Sequence, residues 1–345
     1  MANPALLFRL RALAKGLARD HPRAMSSPRP SDAPLRVAFQ MDPMEGVDID
    51  ADTTFALAEV ASERGYALFE YHPDHLSYEE GQVLARARPM EIRRERGNHV
   101  TFGERQLLDL AEDVDVIWMR QDPPFDMAYI TAAHLLEMLE GKTFVANNPG
   151  WVRSNPEKIV PLEFPDLMPA TLITRDRTRL AAFRERHGDI ILKPLFGNGG
   201  AGVFRVRPDD PNWASLLEMF LDGTREPIIA QAYLREVTEG DRRIILVDGE
   251  PVGGINRVPQ PGETRSNMHV GGTAKPYKLS ESDLAICAAI SPTLKERGFI
   301  LTGIDVIGTK MTEINITSPT GVQELKRFSG VDAAALCWDA IEAKL

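Results

Sequence analysis

The run Ile190-Ile191-Leu192-Lys193-Pro194-Leu195-Phe196-Gly197-Asn198-Gly199-Gly200-Ala201-Gly202 carries one lysine out of an apolar segment into four glycines within six residues. Glycines at that density let backbone N–H groups converge on an anion with no Cβ in the way, and the lysine adds a point charge. Phosphate is the guest such a loop suits. The loop lacks the Gly-Lys-Ser/Thr closure of a P-loop. The alternating Val203-Phe204-Arg205-Val206 that leaves it reads as a strand, where a dinucleotide fingerprint needs a helix. An ordinary glycine-rich hairpin turn is the plain alternative.

A second set of residues is acidic. In Thr312-Glu313-Ile314-Asn315-Ile316-Thr317, Glu313 and Asn315 share one face of a strand, about 7 Å apart, with Ile314 and Ile316 on the other. Asp305 is a lone carboxylate in the otherwise apolar Gly303-Ile304-Asp305-Val306, where an unpaired charge is costly. Pairing the two strands as a hairpin brings Asp305 near Glu313. Three oxygen donors without histidine or cysteine suit Mg²⁺, which takes its other ligands from phosphate and water. The alternatives are a solvated sheet face for Glu313 and Asn315, and for Asp305 a salt bridge to an arginine such as Arg243.

The elements that must position these groups follow from the pattern. A β-α-β start has strands at 35–41 and 66–71 around a helix at 53–64, capped by Asp52 and stopped by Gly65. Residues 72–113 are polar and give no assignment. Strands at 114–119 and 143–146 flank a helix at 127–140, so a parallel sheet is expected, with ligands beyond its carboxyl ends. Asp42-Pro43-Met44 and Arg120-Gln121-Asp122-Pro123-Pro124-Phe125-Asp126 occupy those ends, as substrate loops or as rigid turns. Residues 148–165, including Lys158, look like a linker, and a lone lysine is usually solvated. A second, antiparallel unit has strands at 171–174, about the glycine loop, and at 227–234, with helices at 178–187 and 213–221. The third opens with a hairpin at Asp248-Gly249. It continues through a long loop at 258–274, a helix at 282–297 that Pro292 should bend or divide, strands at 301–307 and 310–317, and a helix from Val331.

Composition sets limits. The 345 residues are enough for two or three domains, and 43% apolar with 26% charged residues is ordinary for a soluble protein. A net charge of −10 argues against a nucleic-acid-binding body, and no run of eighteen apolar residues exists to span a membrane. Cys287 and Cys337 lie in apolar helical contexts as small hydrophobes, which fits a reducing, cytoplasmic setting. Residues 1–34 place Leu6, Leu10, Leu13 and Leu17 opposite Arg11, Lys15 and Arg19, then meet four prolines. They read as a disordered basic extension, or one upstream of a true start at Met25. A transit peptide or a membrane-surface helix is the alternative.

With these residues in hand, a strand–glycine loop–strand hairpin ahead of an acidic metal face is the arrangement of ATP-grasp enzymes. From Leu35 to Leu345 the chain resembles the bacterial glutathione synthetases. The resemblance rests on Met41-Asp42-Pro43, Met119 to Asp126, Ile190 to Leu195, Asp248-Gly249-Glu250-Pro251-Val252, Pro259-Gln260-Pro261-Gly262-Glu263-Thr264-Arg265, and Thr312 to Thr320. It implies an α/β chain, α+β overall: a Rossmann-like parallel-sheet substrate domain at 35–150, then a two-part ATP-grasp fold at 151–235 and 236–345. It implies ATP-dependent joining of γ-glutamylcysteine to glycine through an acyl phosphate, giving glutathione, ADP and phosphate. Lys158, Lys193, the loop Gly197, Asn198, Gly199, Gly200, Ala201 and Gly202, the hinge with Gln231, Tyr233 and Leu234, and Asp241 would then hold ATP.

Asp305, Glu313 and Asn315 would hold Mg²⁺, with Arg243 beside the transferring phosphoryl group. The loop 258–274 would be a mobile lid hinged at Gly262, Gly271 and Gly272 and carrying Arg265, which reaches the intermediate or a substrate carboxylate. Asp42, Arg120 and Asp122 would meet the dipeptide. A homotetramer is implied as well. Departures are the extension before Leu35, the loose match at 147–156, and Gly321 where a bulkier residue is expected. Another carboxylate–amine ligase, or a non-catalytic ATP-binding module, is the competing reading.

Overall fold

The computed structural model describes residues 33–260 and 271–345. The extension up to residue 32 and positions 261–270 of the expected lid, with Gly262 and Arg265, lie outside the described residues.

Strand β1 (Arg36–Gln40) leads to α1 (Thr53–Glu63), whose first turn is closed by Asp52 accepting from the Phe55 N–H at 2.6 Å. Gly65, at φ 77°, ends it ahead of β2 (Ala67–Tyr71). The stretch left unassigned by pattern contains four strands: β3 (Leu76–Glu79), β4 (Gln82–Ile92), β5 (Val100–Phe102) and β6 (Gln106–Asp109). Glu80 and Gly81, both at positive φ, turn β3 into β4. These strands escape a periodicity reading because three of them are only three or four residues long, too short to show a period.

Strand β7 (Val116–Met119), wholly buried, α2 (Met127–Glu137) and β8 (Phe144–Ala146) complete the first sheet. The order is β3-β4-β2-β1-β7-β8, with β5 and β6 also on β4 and the run β2-β1-β7-β8 parallel. The chain reverses its winding between β1 and β7. Their carboxyl ends therefore border the crevice where such sheets take ligands.

The expected linker is ordered. Asn148 caps a short helix α3 (Pro149–Ser154), with Pro149 at the position where a missing N–H costs nothing, and single 3₁₀ turns follow at 160–163 and 165–167.

The second sheet comprises β9 (Thr171–Thr174), β10 (Ile190–Pro194), β11 (Phe204–Val206) and β12 (Ile228–Ala232), with helices α4 (Arg177–His187) and α5 (Trp213–Asp222). Its order, β11-β10-β12-β9, is antiparallel throughout. Ile190, Leu192, Val206, Ile228 and Ala230 pack on Leu180, Phe183, Leu217 and Phe220 of the helices. That leaves the face carrying Ile191, Lys193 and Gln231 free to line a cavity.

The third sheet, β15-β14-β13-β16-β17, is built from β13 (Asp241–Val247), β14 (Glu250–Val258), β15 (Thr273–Tyr277), β16 (Leu301–Ile307) and β17 (Lys310–Asn315). Asp248 (φ 47°) and Gly249 (φ 78°) make the β13–β14 turn that the sequence signals. Helix α6 (Glu281–Glu296) starts at a Ser280–Asp283 capping box and is not divided at Pro292.

Two short helices close the chain, α7 (Val322–Ser329) and α8 (Ala333–Glu342). The pattern gave one helix from Val331, but Gly330 at φ 78° and the Asp332 cap separate the two. Gly321 has φ 108° at the entrance to α7, a conformation L side chains rarely adopt, which accounts for glycine where a bulkier residue was expected. Trp338 of α8 donates its indole N–H to Leu57 O and meets Trp118 edge to face at 5.9 Å, so the last helix packs into the core of the first sheet.

Candidate functional site

A cavity of about 490 Å³ is lined by the second sheet, the third sheet, the 157–158 segment and the loop after β7. Its apolar end is Pro169, Ile191, Leu234, Val237 and Ile307, beside Gln231, Ala232 and Tyr233. Gln231 is buried, and its amide nitrogen donates to Thr171 Oγ1 at 3.1 Å, so its side chain braces the sheet.

At the other end stand the glycine loop and two lysines. Gly199, Gly200 and Gly202 have φ of 60°, 79° and 69°. A Cβ on Gly202 would lie 2.9 Å from Pro194 Cγ, so both conformation and packing demand glycine. Gly197 to Ala201 line the cavity, while Gly202 supports the loop from outside it.

Lys193 points from β10 into the cavity, and burial pushes its ammonium down, with Glu313 partly opposing. Lys158 is buried, not solvated as a lone linker lysine would be. Its Nζ pairs with Glu313 at 2.7 Å and donates to the Gly197 carbonyl. Burial works against its charge, but Glu313, with Glu157 and Asp305 adding, raises the ammonium above its ordinary value.

The acidic face is formed by sheet pairing. Register puts Asp305 opposite Glu313 and Gly303 opposite Asn315, so the three donors share one face of adjacent strands. Arg243, opposite Asp305 on β13, reaches it with Nε at 2.6 Å and Nη2 at 3.2 Å and donates Nη1 to Thr320 O. Glycine at 303 makes room: a Cβ there would lie 2.9 Å from Arg243 Cδ.

Arg257, which sequence reasoning did not single out, pairs with both Asp305 at 3.0 Å and Asp241 at 2.6 Å. Its signal was a lone guanidinium in the apolar, glycine-rich strand β14. Burial alone would raise the Asp305 carboxyl. The two guanidiniums overcome it and hold the group well below the ordinary carboxylate range. The arginine pairing and the shared acidic face are thus both present.

Glu157 was also missed, because Asn155-Pro156-Glu157 reads as linker. Its Oε1 accepts from Ile316 N, Thr317 N and Thr317 Oγ1 at 2.7–2.9 Å, pinning the end of β17 beside Lys158.

The substrate-loop residues divide. Asp122 lines the cavity, and its main-chain N–H donates to Asp42 Oδ2 at 2.9 Å, tying the loop after β1 to the loop after β7. Asp42 and Arg120 do not line it. Arg120 is 4% exposed, donates Nε to Thr54 Oγ1 at 3.0 Å, and leaves Nη1 without a partner among the described residues. Phe125 of the same loop stacks on Phe196 at the start of the glycine loop, 6.1 Å between centroids.

Oxygen-only donors beside two lysines and a glycine loop fit a hard cation bound to phosphate. Among the described residues, no group of three or more histidine, cysteine or acidic side chains is placed to hold a metal ion; the Asp305, Glu313 and Asn315 set has two carboxylates and an amide.

Comparison with known proteins matches the same segments. The profile "Prokaryotic glutathione synthetase, N-terminal domain" covers residues 35–153, and "Prokaryotic glutathione synthetase, ATP-grasp domain" covers 157–330. The glutathione synthetase of Mesorhizobium japonicum is 58% identical over 310 residues, 90% of this chain and 99% of that one. That of Brucella melitensis is 59% identical over 310 residues, again 90% and 99%. Among solved structures, the ATP-grasp ligase PsnB, in complex with a precursor variant, Mg and ADP, superposes with a TM-score of 0.58 at 16% identity, over 91% of this chain and 99% of that one. The fold is an ATP-grasp fold, α+β overall.

Proposed function

This chain belongs to the prokaryotic glutathione synthetase family, and from that premise we propose that its cavity joins γ-glutamylcysteine to glycine at the expense of ATP. Membership makes it an ATP-dependent ligase. The observation that carries the assignment is the convergence of Lys158, Lys193 and the glycine loop on the face that presents Asp305, Glu313 and Asn315.

In this reading the base lies against the apolar end beside the hinge, and Lys193, Lys158 and the loop N–H groups receive the phosphates. Asp305, Glu313 and Asn315 would hold Mg²⁺, which when bound neutralises phosphate charge and orients the transfer. Arg243, fixed by Asp305 and Thr320 O, aims a permanent charge at the oxygens where negative charge spreads in phosphoryl transfer. Arg257 locks Asp241 and Asp305 in place behind it. The aspartates at 42 and 122 suit the dipeptide ammonium. Arg120 would meet its carboxylate only after leaving Thr54. Attack by the dipeptide's cysteinyl carboxylate on the γ-phosphorus forms an acyl phosphate and releases ADP. The glycine amine then displaces phosphate.

Arg265 on the lid 258–274, the domain limits 35–150, 151–235 and 236–345, a homotetramer and a cytoplasmic setting belong to the same proposal. The described helices include none long and apolar enough to cross a membrane.

ADP release measured with Mg²⁺, ATP, γ-glutamylcysteine and glycine, and with each left out, tests the proposal. Turnover that needs all four supports it. Release with the dipeptide but indifferent to glycine overturns the amine assignment, and a different acceptor requirement points to another carboxylate–amine ligase.

A further inference from the structure

Arg205 stands on β11, three residues beyond Gly202. Register places it opposite Ile191, which is itself opposite Gln231, so all three share the cavity face of the second sheet. Its guanidinium carbon lies 3.9 Å from the centroid of the Tyr233 ring. Nε donates to Asp189 Oδ2 at 2.9 Å, and Nη2 donates to the same oxygen. The Tyr233 N–H donates to the Asp189 carbonyl at 3.1 Å. One aspartate therefore fixes both partners, the guanidinium through its carboxylate and the hinge through its main chain. Tyr233 lines the cavity; Arg205, on the same face of the sheet, does not reach the lining and packs on the Tyr233 ring.

We propose that Arg205 is a positioning residue for the nucleotide: it holds Tyr233 in the setting where the hinge meets the base, and ties that hinge to the strand leaving the phosphate loop. This rests on the assignment of the cavity to ATP. The two ends of a nucleotide would touch separate segments, the glycine loop and the 231–234 hinge; Arg205 stands on the strand that leaves the first and packs on Tyr233 of the second. Lysine could keep the charge near Asp189 but offers no planar face to the ring. Because the Arg205 and Asp189 side chains are 29% and 30% exposed, their ion pair adds little to global stability. The loss on substitution should fall on nucleotide binding rather than on folding.

Calorimetric titration with Mg–ADP tests this on wild type, Arg205→Ala, Arg205→Lys, Tyr233→Leu and the Arg205→Ala/Tyr233→Leu double variant. Arg205→Ala should weaken binding about 3- to 10-fold, with Arg205→Lys close behind. The KM for ATP should rise in step, while kcat at saturating ATP and the KM for the dipeptide stay within about twofold. The nucleotide-free melting temperature should move by less than about 2 °C. In the Tyr233→Leu background, Arg205→Ala should cost nothing further. Arg205→Ala binding within about 1.5-fold of wild type, or an undiminished loss without the tyrosine ring, overturns the inference. Those outcomes leave the nucleotide site standing if wild type binds; a wild-type protein that binds no Mg–ADP overturns the site and the inference together.

Discussion

Single side chains in the cavity are held in states that folding alone does not favour. Lys193 is an ammonium buried on a sheet face, with its charge disfavoured by burial and only partly supported by Glu313. Lys193→Met should therefore raise the nucleotide-free melting temperature by about 2–4 °C, as relief of a buried charge would. The same change should cut ATP-dependent turnover about 100-fold or more. A melt that falls, or turnover that survives, counts against the role given to this lysine.

Glu157 supplies a pH test. Burial, with Glu313 adding, raises its carboxyl above the ordinary value. The folded chain then keeps this proton to higher pH than the unfolded chain, so stability from this group is lost as pH rises above the ordinary carboxylate range. Glu157→Gln keeps an acceptor for Ile316, Thr317 N and Thr317 Oγ1 but removes the charge. The difference between variant and wild-type melting temperatures should grow from pH 4 upward to a plateau; a flat or shrinking difference would refute it.

At the scale of elements, the glycine loop and the β16–β17 pair do most of the positioning. Gly202→Ala meets both a positive φ and Pro194, and should cost about 1–3 kcal/mol with a rise in the KM for ATP. Gly46, with open space where a Cβ would stand and no positive φ, is the control: Gly46→Ala should stay within about 0.5 kcal/mol. Denaturant melts of the two variants separate a loop-specific constraint from a general effect of replacing glycine. Gly303 reads in sequence only as part of a strand, yet its missing Cβ is what lets the Arg243 side chain lie over β16 beside Asp305.

Across the whole molecule, residues 34–345 form one compact unit whose sheets are joined by buried polar and aromatic links. The Asn147 amide donates to Leu301 O and Ile316 O and accepts from Leu301 N, stitching the end of the first sheet to the third. Trp338 does the same from the C-terminal helix. Trp338→Ala should cost about 3–5 kcal/mol and lower the melting temperature of the unit as a single transition. Separate melting of the N-terminal sheet would contradict that coupling. Mg–nucleotide at 100 times its Kd should add about 2.7 kcal/mol to the unfolding free energy, read as an upward shift of the same transition.

The sequence by itself determined the order of most strands and helices, the position of the glycine loop between β10 and β11, the Asp305–Glu313 pairing and the family. Each of these rests on local spacing: period two, period 3.6, glycine density, or a short run of residue types. Tertiary structure alone decided the rest. Lys158 and Glu157 lay in an apparent linker, and became buried and half-buried because their segment folds under the end of β17. Arg257 gained its importance from partners 16 and 48 positions away, Asp241 and Asp305, which no local pattern connects. Arg120, a loop residue by position, is enclosed against Thr54 because α1 and β7 meet at the point where the sheet reverses its winding. Local rules place side chains on faces; which faces meet is fixed only when the sheets pack.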